Sequence, residues 1–268
     1  MNGTERIREA FAKRKAAGQS ALVIYLTFGD PTPDSGASLM RAAAEAGADV
    51  VELGVPFSDP NADGVVIQAA MERALGQGAT LRGALEAVSQ ARASGCEIPV
   101  VLFGYYNPLV AMGVDEFCAN AAEAGVDAVL TVDLPMDELA ELHQPLSGRG
   151  LGVIPLVAPT SGEARIAAVR EFEPPFVYYV SMTGVTGSQL AKVVSGPERV
   201  AAVQAATGAP VAVGFGIKTP EDAHRVGSYA DGVVVGSAVV QYIADGPADE
   251  APDRVRAFVG SLREGLDG

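Results

Sequence analysis

One phrase recurs along this chain. Glu45-Ala46-Gly47-Ala48-Asp49-Val50-Val51-Glu52 returns as Glu123-Ala124-Gly125-Val126-Asp127-Ala128-Val129-Leu130, and more loosely as Gly227-Ser228-Tyr229-Ala230-Asp231-Gly232-Val233-Val234. Each copy reads alike: a helix stops near glycine, an aspartate turns the corner, and a β-branched strand follows. Apolar runs suited to strands covered on both faces stand at 21–28, 49–53, 99–103, 127–132, 151–157, 176–181, 210–215 and 232–236. Helical patterns fill the gaps at 34–46, 64–93, 114–124, 136–149, 162–172, 196–207 and 219–228, with one more after 236 and a tail helix at 251–265. A short helix capped by Thr4 and stopped by Gly18 precedes the first strand.

Eight strands alternating with helices imply a parallel sheet, and that many units in about 250 residues is the size of a closed barrel. The expected fold is α/β, a (β/α)8 TIM barrel with an extra N-terminal helix, as a single domain over residues 1–268. An open doubly wound sheet is the alternative. It is weakened because no GxGxxG follows the first strand and no GxxxxGK[ST] occurs.

Composition narrows the partners. A formal charge of −14 leaves no basic surface for a phosphate backbone, so nucleic acid is not expected. Cys96 and Cys118 form no CxxC and read as buried free thiols. Met1 to Ser20 is charged and holds no apolar stretch, and no apolar run approaches the length of a membrane span. The expectation is a soluble, cytoplasmic chain.

A barrel places chemistry at the carboxyl ends of its strands. The end of the second strand carries Glu52-Leu53-Gly54-Val55-Pro56-Phe57-Ser58-Asp59-Pro60-Asn61-Ala62-Asp63-Gly64, a long connection rich in carboxylates whose Val55 and Phe57 argue against disorder. Glu52 and Asp63 are its candidate working groups. A buried Glu has its pKa raised by desolvation and can give or take a proton near neutrality, while an ionised Asp can orient a substrate N–H or O–H. Turn punctuation is the competing explanation of the loop.

Other strand ends carry Tyr105, Tyr106 and Asn107, Asp133, and glycines: Gly184 to Gly187 after strand six, Gly214-Phe215-Gly216 after strand seven, and Gly236-Ser237 after strand eight. Glycines at the last loops allow main-chain N–H groups to hold a phosphate with little basic side chain, and Ser237 can cap a helix or bind an oxyanion there. His143 and His224 lie in helical segments, which disfavours a histidine base or a histidine metal cluster; no metal is expected. None of the four lysines lies within a strand, so a Schiff-base aldolase is disfavoured, although Lys218 just past the seventh strand keeps that reading open.

The string ELGVPFSDPNADG, with LTFGDP before it and YYVSMTGVTG, VGFGIK and VVGSAVV after it, resembles the tryptophan synthase alpha subunit family from about residue 5 to 265. The resemblance implies a lyase of tryptophan biosynthesis that cleaves indole-3-glycerol phosphate into indole and D-glyceraldehyde 3-phosphate. It implies Glu52 as general acid/base and Asp63 as the second carboxylate. It sets the phosphate near Gly187, Gly216, Gly236 and Ser237, and the indole among Tyr25, Phe103, Leu130, Tyr178 and Phe215. Thr186 falls on the loop expected to close over the substrate and support Asp63. A beta subunit, in an alpha2beta2 assembly, is the implied partner; Pro56, Asp59, Tyr105, Asn107, Pro108 and Pro135 match positions that touch it. The chain itself is expected to carry no cofactor, pyridoxal phosphate being the partner's. Asn61, Met71 and Met182 depart from the family pattern without removing a catalytic group. Another phosphate-binding barrel enzyme, or a subunit that only tunes a partner, are the rival readings.

Overall fold

The recurring aspartates show how the chain builds its strands. Asp49 N donates to Leu22 O at 2.8 Å, and its Oδ2 accepts from Leu22 N at 2.8 Å. Asp127 does the same to Val100, at 2.9 and 2.7 Å, and Asp231 to Val211, at 3.0 and 2.9 Å. Each aspartate thus satisfies both backbone groups at the start of the neighbouring strand, which would otherwise stand unpaired at the rim of the sheet.

The computed structural model describes residues 1–180, 196–214 and 216–268; the expectations for Met182, Thr186, Gly187 and Phe215 fall outside the described residues. Along the chain run α1 (Gly3–Ala16), β1 (Ala21–Thr27), α2 (Gly36–Glu45), β2 (Val50–Gly54), α3 (Val65–Gly76), α4 (Leu81–Ala93), β3 (Val100–Gly104), α5 (Tyr106–Met112), α6 (Val114–Ala124), β4 (Ala128–Thr131) and α7 (Leu139–Ser147). Then come β5 (Gly152–Val153), β6 (Leu156–Val157), α8 (Glu163–Ala168), β7 (Val177–Val180), α9 (Pro197–Thr207), β8 (Val211–Gly214), α10 (Pro220–Gly227), β9 (Gly232–Val235), α11 (Ser237–Ala244) and α12 (Ala251–Asp267).

All strand pairs are parallel, in the order β5-β4-β3-β2-β1-β9-β8-β7-β6. β5 and β6 are two parts of the single run expected at 151–157. Ile154 N still donates to Val129 O at 2.9 Å, whereas Pro155 O accepts from Tyr178 N at 3.0 Å. Pro155, which has no N–H to donate, marks the point where the run changes partner and closes the ring.

Alternation divides the strand residues into two layers. Leu22, Ile24, Val51, Leu53, Val100, Leu102, Val213 and Val233 pack outward against the helices. Ala21, Val23, Tyr25, Val50, Val101, Phe103, Leu130, Ala212 and Val234 pack inside the ring. α1 plugs the amino-terminal rim: Ile7 and Phe11 join the inner cluster, and Phe11 stacks on Phe176 at 5.1 Å. Its basic residues reach the corner aspartates, Arg6 to Asp127 at 2.7 Å, Arg14 to Asp49 at 2.7 Å and Lys15 to Asp231 at 3.5 Å.

Several boundaries differ from expectation. The span 64–93 is two helices, α3 and α4, separated by a turn through Gly78 at φ +80°. α5 is an additional helix that the sequence pattern does not announce. α1 is capped by Asn2 rather than Thr4: Asn2 Oδ1 accepts from Glu5 N at 2.9 Å, and Glu5 Oε2 accepts from Asn2 N at 3.0 Å. The α-helix expected across 162–172 ends at Ala168 and tightens into a 3-10 turn. Cys96 and Cys118 are buried and unbridged. Among the described residues no helix is long and apolar enough to cross a membrane, and no His, Cys, Asp or Glu group is arranged to hold a metal ion.

Candidate active site

β2 runs on to Gly54, so Glu52 lies inside a strand rather than at its end. It pairs in register with Tyr25 of β1 and shares the inner face with Val50. Glu52 is 1% exposed, and neither carboxyl oxygen has a hydrogen-bond partner among the described residues. Burial alone pushes its pKa from 4.5 up to about 8, because the charged form has lost water and gained no counter-charge. Glu52 therefore holds its proton at neutral pH.

Asp63 stands half-buried on the loop between β2 and α3. Its Oδ2 accepts from the Tyr105 hydroxyl at 2.7 Å, and the same hydroxyl accepts from Ala62 N at 3.0 Å. Asp63 N donates to Pro60 O at 3.1 Å, and Gln68 Nε2 donates to Asp63 O at 2.7 Å. Burial raises the Asp63 pKa, and the Tyr105 hydrogen bond opposes that rise. The Phe57 ring stacks on Tyr105 at 4.9 Å, which ties this loop to the end of β3.

Tyr105 is thus a site residue, buried at 3% exposure, where the resemblance ties it to the partner surface. The available signal was its place just past a strand end. Asp133 serves the backbone instead. Its Oδ1 accepts from Tyr106 N at 2.8 Å and so starts α5.

Tyr25, Phe103, Leu130 and Tyr178 come together inside the ring, with Tyr25 and Phe103 edge to face at 5.2 Å. Two glycines make room for the tyrosines. A Cβ on Gly54 would stand 2.1 Å from Tyr25 Oη, and one on Gly214 would stand 2.2 Å from Tyr178 Oη. In both cases the tyrosine lies over the glycine two residues beyond its register partner on the next strand. The charges of Glu52 and Asp63 bear on both hydroxyls, raising their pKa values beyond what burial does.

Beside this cluster opens a cavity of about 600 Å³, lined by Gly64 to Ile67, Tyr178, Gly216 to Lys218, Val234, Gly236 and Ser237. It unites Gly216, Gly236 and Ser237 of the expected phosphate set. Gly216, at φ +77°, takes a backbone conformation that favours glycine. Ser237 opens α11 as its first helical residue, with Gly236 as the cap, so the expected side-chain cap by Ser237 is not formed. The free N–H groups of a helix start suit an anion. The α3 residues Val65 to Ile67 line the same cavity and do not stand out in the sequence. Lys218 is exposed at its rim, and its main-chain N–H is held by Asp222 at 3.2 Å.

Of the positions tied to a partner, Asp59, Asn107 and Pro135 are exposed and Pro108 is half-buried, whereas Pro56 is buried within the chain and offers no surface. Asn61 is exposed on the Asp63 loop, and Met71 is fully buried in α3.

The family model described as tryptophan synthase alpha chain matches residues 11–265. The tryptophan synthase alpha chain of Laribacter hongkongensis is 49% identical over 262 residues, covering 98% of this chain and 99% of its relative. That of Azoarcus sp. is 46% identical, covering 98% and 97%. Among solved structures, tryptophan synthase subunit alpha from Legionella pneumophila superposes with a TM-score of 0.90 at 38% identity, covering 100% of this chain and 99% of that one. A ligand-free tryptophan synthase from M. tuberculosis gives a TM-score of 0.86 at 36% identity, covering 98% and 99%. Ring, buried Glu52 and full-length likeness agree: the chain belongs to the tryptophan synthase alpha chain family.

Proposed function

We propose that Glu52 and Asp63 are the catalytic pair with which this chain performs the reaction of its family, the retro-aldol cleavage of indole-3-glycerol phosphate to indole and D-glyceraldehyde 3-phosphate. The observation that carries the assignment is Glu52 itself: inward-facing, fully buried, without a hydrogen-bond partner among the described residues and still protonated at neutral pH.

The chemistry follows. The acid form of Glu52 gives its proton to indole C3, which leaves positive charge on the ring nitrogen. Asp63 accepts the indole N–H and stabilises that charge. The Glu52 carboxylate then takes the proton of the hydroxyl on the attached glycerol carbon. The O–H electrons form the aldehyde carbonyl, and the carbon–carbon bond electrons return to the ring. Glu52 ends as it began, so one group serves as acid and then as base. Tyr25, Phe103, Leu130 and Tyr178 wall the indole. The amides at Gly216, Gly236 and Ser237 hold the phosphate; by resemblance Gly187 joins them, Phe215 joins the indole wall, and Thr186 belongs to the loop that closes over the substrate and supports Asp63.

The chain carries no cofactor; pyridoxal phosphate belongs to the beta subunit, with which the alpha chain works as an alpha2beta2 complex. We assign Asp59, Asn107, Pro108 and Pro135 to that interface. Pro56 would join only through a rearrangement of its loop, since it is buried here. The chain is read as one domain over residues 1–268, acting in the cytoplasm.

The test is indole release from indole-3-glycerol phosphate, with and without a beta subunit. Glu52→Gln is expected to abolish release while substrate still binds; turnover at the wild-type rate would refute the assignment.

A further inference from the structure

Among the described residues, four buried oxygens on β1 and β2 have no hydrogen bond: Tyr25 Oη, Thr27 Oγ1 and both carboxyl oxygens of Glu52. A buried polar atom without a partner costs free energy, and native chains retain few of them. An aromatic wall for indole needs only a ring, and Phe103 supplies one without a hydroxyl. The Tyr25 hydroxyl therefore calls for its own account.

Its position gives one. Tyr25 and Glu52 are register partners with side chains on the same inner face, so their backbones lie one strand spacing apart, about 4.8 Å. The Tyr25 ring rises over Gly54, the next inward position of β2 after Glu52, and lies so close that any Cβ there would collide with its hydroxyl. The phenol thus lies on the same inner face as Glu52, over the next inward residue of β2, on the side toward the carboxyl ends of the strands.

We propose that Tyr25 is a positioning residue for Glu52: once Glu52 has given up its proton, the Tyr25 hydroxyl donates a hydrogen bond to the carboxylate and aims it for the return transfer from the glycerol hydroxyl. The inference rests on the reading of Glu52 as the acid/base group. No proton leaves Tyr25 in the cycle; the one proton lost and the one regained pass between Glu52 and the substrate.

The surroundings agree. The groups that bear on the Tyr25 hydroxyl are Thr27 on its own strand, Glu52 on β2, Asp63 on the following loop and Tyr105 at the end of β3, and the charge of Glu52 also reaches Tyr178 of β7. None of these is cationic, and burial is the one influence on Glu52 itself. Burial, then the Asp63 charge, keep the phenol protonated far above neutrality. It stays a donor through the whole reaction.

The test is Tyr25→Phe, which removes one oxygen and keeps the ring. The Glu52 carboxyl is titrated in the free full-length chain by 13C NMR, with Glu52→Gln identifying its resonance. A hydrogen bond to a charged group is worth roughly tenfold or more in equilibrium, so the variant's titration is expected to move up by about one pH unit. In turnover, kcat is expected to fall about tenfold with KM within about twofold. A titration within about 0.3 unit of wild type overturns the proposal whatever happens to kcat, since the loss would then be one of packing. A wild-type chain that releases no indole would overturn the functional reading, while the titration would still decide the hydrogen bond.

Discussion

Replacing Glu52 by Gln should stabilise the fold as it removes the activity, and the gain should depend on pH in a defined way. Folded, Glu52 keeps its proton up to about 8; its ordinary value is 4.5. The folded pKa is the raised one, so the unfolded chain ionises first. The contribution of Glu52 to stability is then fully present below pH 4.5, is lost as pH rises, and is gone above about 8. At pH 7 the unfolded side chain has ionised across about 2.5 units at about 1.4 kcal/mol each, a loss of about 3 kcal/mol from a buried, unpaired acid. Glutamine has nearly the same shape and cannot ionise, so it escapes this loss.

The assay is urea unfolding of wild type and Glu52→Gln at intervals from pH 4.5 to above 8. The stability difference in favour of the variant should grow by about 3 kcal/mol between pH 4.5 and 7 and level off above about 8. A difference that stays flat across this range would refute the claim that Glu52 is held protonated by burial. The same property sets the alkaline limit of catalysis. The reaction starts from the acid form, so kcat/KM should fall about tenfold per unit above the folded pKa. The protein gives up stability at neutral pH to keep an acid where the chemistry needs one.

Other substitutions probe the neighbouring parts. Tyr105→Phe removes the donor to Asp63 Oδ2 and the acceptor for Ala62 N; kcat for indole release should fall roughly tenfold, and an unchanged kcat would show that Asp63 needs no holding. Gly54→Ala drives a Cβ into the Tyr25 hydroxyl. The ring must move, at a cost of about 1–3 kcal/mol, and affinity for an indole-bearing phosphate ester, read by calorimetry, should drop in step. Asp127→Ala leaves Arg6, Arg92 and Val100 N without their acceptor; urea unfolding should report a loss of about 3–5 kcal/mol, and a loss under about 1 would show that water replaces the carboxylate.

The strand-helix rhythm is open to reading because it is local: apolar runs, stopping glycines and corner aspartates lie within a few residues of one another. What escapes is set by contacts between distant segments. α5 spans only seven residues, too short to stand alone, and its first turn is held by Asp133 from the next strand's end. The break at Gly78 uses a positive φ that glycine permits but does not demand. The exchange of partners at Pro155 is visible only once β4 and β7 flank it. Glu52 and Asp63 stand out because their loop is long and acidic, but the Tyr105 hydroxyl that holds Asp63 comes from 42 residues away.

The deeper limit concerns the acids themselves. In sequence Asp49, Asp127 and Asp231 stand before a β-branched run and Glu52 toward the end of one, but nothing there says which of them is paired. The fold separates them by rim. At the amino end, each aspartate caps a strand N–H and meets a cation from α1, and Asp127 adds Arg92 at 2.9 Å while Asp49 adds Arg263 at 3.3 Å. Toward the carboxyl end, Glu52 receives neither an amide nor a cation from the described residues. A buried carboxyl with partners is a fastener, and one without them keeps its proton to give away. Those partners are contributed by α1, α4 and α12, none of which adjoins the acid it serves in the chain. The distinction between holding the barrel and running the reaction is therefore made by the partners that each rim supplies, and only the closed ring brings those partners together.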